Sequence, residues 1–115
     1  MISSHDDFRL LLNKWMSESR ELFIIILQQF GGDSRCLAIV IGELIDVDEH
    51  TLSVKGEKGN CAMVRFSDCK FDYDSHLDEW GILPAFITGR KFEDVFILIS
   101  PQGTIFAIGD ATSRP

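Results

Sequence analysis

The chain has 115 residues, with 18 acidic and 11 basic side chains and a formal net charge of −7. Hydrophobic residues make up 45% and charged residues 25%, which excludes a disordered tail and indicates one folded domain over residues 1–115. The acidity argues against non-specific nucleic-acid binding, which needs clustered Lys and Arg to displace counterions; the only adjacent basic pair is Arg90-Lys91.

The first element reads as a helix over about 4–18. Phe8, Leu11, Leu12 and Trp15 fall on one helical stripe. Ser4 is a candidate N-cap, and Asp6 and Asp7 suit the positive end of the helix dipole. Residues 21–30, ELFIIILQQF, fit two readings. The stripe continues through Leu22, Phe23, Ile26 and Phe30, which would give one long helix. Phe23-Ile24-Ile25-Ile26 is aromatic and β-branched, however, and Ser17 and Ser19 weaken a helix there, so a strand is favoured. Gly31-Gly32-Asp33-Ser34 then forms a turn.

The remainder reads as short strands and tight turns. Cys36 to Val47 is apolar on both faces in its first half, which predicts cover from the core and from something else. Asp48-Glu49-His50 is a turn. Leu52 and Val54 alternate with polar neighbours, and Gly56-Glu57-Lys58-Gly59 closes a hairpin. Ala62, Val64 and Phe66 alternate with Cys61, Met63 and Arg65. Val95, Ile97 and Ile99 precede Ser100-Pro101-Gln102-Gly103 and then Ile105 and Ala107, a hairpin with a type I turn and a glycine bulge. Between these hairpins, residues 68–92 are irregular; Gly81 and Pro84 break any continuous element. The predicted architecture is mainly β (α+β). An N-terminal helix packs on a small, strongly bent antiparallel β-barrel of about five to six strands over residues 21–109.

Gly42-Glu43-Leu44-Ile45-Asp46-Val47-Asp48, after a helix and a first strand, resembles the first Sm motif: a glycine within a bent second strand, then an apolar residue and an aspartate before the turn. Thr51 to Lys55 and Cys61 to Ser67 would supply the third and fourth strands, and the resemblance covers about residues 5–67. It implies an Sm-like barrel, or a generic SH3-like one, and a tendency to assemble. No RNA-binding residue is carried over. The basic-glycine pair of the second Sm motif is missing, Gly89-Arg90 reverses its order, and the Ser100 to Gly103 turn holds no base.

Candidate chemistry is sparse. Asp72-Tyr73-Asp74-Ser75-His76-Leu77-Asp78-Glu79 is the densest group of metal-capable side chains, but it fails the calcium-loop template at His76 and Leu77. Cys61, Cys69, His50 and His76 lack the close pairs of zinc sites, and structural thiols are favoured. A nucleophilic pair of Cys69 with His76 would need a perturbed thiol and an oxyanion hole. Gly56 to Gly59 lacks phosphate-loop spacing. No catalytic, cofactor or metal residue is therefore assigned, and the protein is not expected to be an enzyme. Trp15 belongs to the helix stripe. Tyr73, Trp80 and Phe86, aromatics among charges, are candidate partner or lid contacts; the alternative places Trp80 as a plug over the barrel end.

Residues 43–79 hold ten acids against four bases, either a solvated face or a docking patch for a basic protein partner. Three cysteines without a CxxC pair, and an N-terminus without the basic start and apolar run of a signal peptide, predict a cytoplasmic protein with reduced thiols. The longest strictly apolar run, Leu22 to Leu27, is too short for a membrane span. The apolar strands 37–41 and 95–99 need cover, and a homo-oligomer would provide it. The favoured function is a non-catalytic, self-associating interaction or scaffolding module. A small-ligand-binding domain with residues 68–92 as a lid is the alternative, and Sm-like nucleic-acid binding is a minority reading.

Overall fold

The structure is a computed structural model describing residues 4–30, 33–71 and 95–110. Helix α1 (His5–Ser17) precedes strands β1 (Glu21–Phe30), β2 (Asp33–Val47), β3 (Leu52–Gly56) and β4 (Cys61–Val64). A 3-10 turn (Phe66–Asp68) leads to β5 (Lys70–Phe71); β6 (Val95–Ile99) and β7 (Thr104–Asp110) complete the fold. The chain is thus mainly β, with one N-terminal helix packed on an antiparallel sheet.

The helix forms as its stripe predicts. Asp7 N donates to Ser4 Oγ at 3.5 Å, and Phe8, Leu12 and Trp15 are buried. Its C-terminus closes with two reversed bonds, Ser19 N to Met16 O at 3.1 Å and Arg20 N to Trp15 O at 3.0 Å. Ser19 takes the left-handed conformation this closure requires, at φ 53°. The closing turn redirects the chain, so residues 21–30 start a strand and not a longer helix. Arg20 secures the junction. Its Nε donates to Glu18 Oε2 at 2.5 Å and its Nη1 to Asp110 Oδ2, a buried carboxylate at the end of β7. Glu18 and Asp110 together push the Arg20 pKa further up.

All strand pairs are antiparallel, in the order β4-β3-β2-β1-β7-β6-β5. The sequence suggested about five to six strands in a barrel; among the described residues there are seven, and the sheet they form is not closed. β4 and β5 are the edges of these seven. The added strand, β5, is two residues long and carries no readable alternation. Only residues 65–69 link the two edges. A flat seven-stranded sheet would hold its edges roughly 29 Å apart. A link of that length reaches about 20 Å even when extended. The sheet is therefore strongly curved.

The helix lies on the curved-in side. Phe8 meets Phe66 and Phe71 edge-on, at ring-centroid distances of 5.6 and 5.5 Å, and Phe96 at 5.2 Å. His5 Nε2 lies 2.8 Å from Cys69 O, holding the start of the helix to the approach to β5. Leu22, Ile24, Val40, Leu52, Val54, Val64, Leu98 and Ile108 complete this core. On the opposite face, Phe23, Ile25, Leu27, Ile97, Ile105 and Ala107 form a second buried cluster, flanked by half-buried Ile39, Ile41 and Ile99. The apolar strand 95–99 is thus not an exposed edge. Phe96, Ile97 and Leu98 are buried within the chain, and β6 is paired on both sides by β5 and β7. The other apolar stretch, 37–41, is covered only in part, since Leu37 is 56% exposed.

Candidate functional site

Tyr73, Trp80 and Phe86 lie outside the described residues, as do the acidic stretch 72–79 and most of the 68–92 segment. The other sequence candidates do not come together. Cys61 is exposed on β4, whereas Cys69 is buried with the helix core. Burial pushes the Cys69 thiol up, Asp68 adds to the shift, and its Sγ donates to Arg65 O at 3.5 Å. That is the environment of an inert structural thiol rather than a nucleophile. His50 sits in the β2–β3 turn, where its N–H and that of Thr51 each donate to Asp48 Oδ1 at 2.7 Å. Among the described residues no group of three or more His, Cys, Asp or Glu is placed to hold a metal ion. No helix among them is long and apolar enough to cross a membrane.

Two open clefts are small. One of ≈ 330 Å³ is lined by Glu21, Gly42, Glu43, Lys55, Gly56 and Glu57. Gly42 and Gly56 are paired there, and a Cβ on Gly42 would lie 1.9 Å from Lys55 O. The other, ≈ 340 Å³, lies between Asp68, Lys70, Ile99, Ser100 and Pro101. Neither gathers a catalytic set.

The feature that stands apart is the β4 edge. Ala62 and Val64 face the core, while Cys61 and Met63 face out, Met63 at 71% exposure. Ile45, at the irregularity in the β2–β3 register, adds a second apolar side chain, 53% exposed. The ladder phase fixes where the backbone points. Gly56 N donates to Asn60 O at 2.6 Å, so Gly56 and Asn60 are a bonded pair. Bonded and non-bonded pairs alternate along antiparallel strands. Val54–Ala62 and Leu52–Val64 are then bonded, and Lys55–Cys61 and Ser53–Met63 are not. The N–H and C=O groups of Cys61 and Met63 consequently point away from β3. Among the described residues no further strand pairs there.

The opposite described edge carries the exposed Lys70, and lysines discourage pairing. β4 carries no lysine. It is also free of acids: no Asp or Glu occurs from Lys58 to Ser67, inside the most acidic part of the chain. The alternation in 61–66 already marked Met63 as an apolar residue on an outward position, but not that β4 would be an edge. Edge status depends on which strand fails to find a second neighbour, and local pattern does not report that.

Comparison with protein families, with curated proteins and with solved structures finds no match. The Sm-like resemblance over residues 5–67 accordingly has no support beyond the residues that suggested it.

Proposed function

We propose that the protein is a non-catalytic interaction module that associates with itself. The observation that carries this reading is the unguarded β4 edge, with outward backbone groups at Cys61 and Met63 and an exposed Met63 side chain. An edge of this kind is a template for another strand. A second copy supplies one on each molecule, so a closed, symmetric assembly satisfies both edges at once. The acid-free stretch 58–67 limits the repulsion where the β4 edges of two chains of net charge −7 would meet.

The test is the solution mass, measured by light scattering on a sizing column at micromolar concentration. A discrete oligomer is the expected result. A monomer throughout would overturn the reading, and attention would pass to ligands that raise the melting temperature by binding the folded state.

A further inference from the structure

We infer that the second copy pairs β4 against β4 in antiparallel fashion, with the two-fold axis passing between Met63 and its symmetry mate. This rests on the self-association just proposed and specifies its register and stoichiometry. Three observations lead to it. First, the outward N–H and C=O of Met63 form a matched donor and acceptor. An antiparallel pair centred on Met63 lets each Met63 N–H donate to the other Met63 C=O. Cys61 then lies opposite Arg65 of the second copy on either side. Secondly, Met63 is the most exposed of the large apolar side chains on the described surface, at 71%, and on the axis it is covered by its own copy. The outward row runs from Asp46 through Ser53 to Met63, with Ile45 exposed beside it at the register shift, and continues symmetrically across the axis. Thirdly, the strand entering the interface carries Arg65 and no acid, and Arg65 already has its own partner in Asp68 at 2.7 Å. The edge stretch 58–67 itself brings no acid to the axis, and Asp46 of the same row stands two strands away. Because the other edge among the described strands carries the exposed Lys70, growth stops at two copies and the assembly is a dimer with one continuous sheet.

A residue on a two-fold axis faces itself, and this gives a specific test. Met63→Asp and Met63→Lys are prepared separately; the site is exposed enough for the fold to be kept in both, which circular dichroism checks. Each variant places like charges across the axis and is expected to raise the dimer dissociation constant at least tenfold. Mixing the two pairs Asp with Lys and is expected to restore a dimer. In the wild-type protein, amide exchange at Met63 is expected to slow as concentration rises through the dimer transition, a measurement that needs no variant. A wild-type monomer overturns both this inference and the self-association reading. A wild-type oligomer indifferent to both substitutions overturns the β4 interface alone. Loss of the dimer in each variant without recovery on mixing overturns the Met63 axis. A wild-type mass above that of a dimer overturns the two-copy limit.

Discussion

Gly109 sets two physical effects against each other, and the structure decides between them. Gly109 lies in β7 directly opposite Phe23 of the central strand. By strand propensity alone, Gly109→Ala should stabilise the protein by roughly 0.5–1 kcal/mol, since glycine loses more conformational freedom on folding. A Cβ at Gly109, however, would lie 2.4 Å from Phe23 Cζ and 2.7 Å from Cε1. Comfortable carbon contacts are about 3.5–4.0 Å, so the overlap exceeds roughly 1 Å. The ring has little room to yield, because Phe23 is 2% exposed and sits among Ile25, Ile97 and Ala107. Overpacking of this kind costs about 1–3 kcal/mol, so the steric term wins and the net effect is destabilising. Phe23→Leu removes the ring edge that the new methyl would strike. The double variant should accordingly be less destabilised than the sum of the singles, by at least ~1 kcal/mol. Urea unfolding of the four proteins of the cycle measures this coupling. A stabilised Gly109→Ala protein, or additivity within about 0.5 kcal/mol, would refute the reasoning.

Phe8→Ala removes a fully buried ring that touches Phe66, Phe71 and Phe96, and should cost roughly 3–5 kcal/mol, read from the urea midpoint. That is a large share of the stability of an ordinary domain. Ser19→Gly should raise stability by about 0.5–1 kcal/mol, because Ser19 holds a left-handed φ of 53° that glycine adopts without strain. Asp48→Ala tests the β2–β3 turn by pH. The carboxylate is held below its ordinary range by hydrogen bonds from His50 N, Thr51 N and Thr51 Oγ1. A depressed folded-state pKa contributes stability above the ordinary value of 3.8 and loses it as pH falls through the folded pKa. The melting temperature of Asp48→Ala should therefore lie below that of the wild type at neutral pH, and the gap should close in acid.

Local pattern made the helix and the hairpins legible. The stripe of Phe8, Leu12 and Trp15 gave α1 its buried face, and the Ser100 to Gly103 turn forms with Gly103 at φ 84° and Gly103 N bonded to Ser100 O at 2.9 Å. Long-range features were not legible. Arg20 and Asp110 are ninety positions apart and meet only because β1 and β7 are neighbours in the sheet. The curvature arises from the brevity of the 65–69 link between strands that are neighbours in sequence but opposite edges in space. β5 has too few residues for a period to show.

The same reasoning explains why β1 was ambiguous and β4 informative. A strand with one buried face keeps strict alternation, and β3 and β4 do: Leu52 and Val54, then Ala62 and Val64, are buried while the intervening residues face out. β1 is paired on both sides and buried on both faces, so Leu22, Phe23, Ile24 and Ile25 are all apolar and no period of two remains to separate strand from helix. An apolar residue in β1 consequently says only that the strand is central. In β4, where alternation is intact and the outward position faces water, an apolar side chain breaks the rule that its neighbours obey. Met63 has no role in the core that would account for it, since Ala62 and Val64 supply the inward contacts. Its backbone groups point along the same open edge as its exposure. The main chain marks Cys61 and Met63, and the exposed apolar side chain then selects Met63, which is why the proposed dimer axis is put there and not at the equally apolar but internally buried β6.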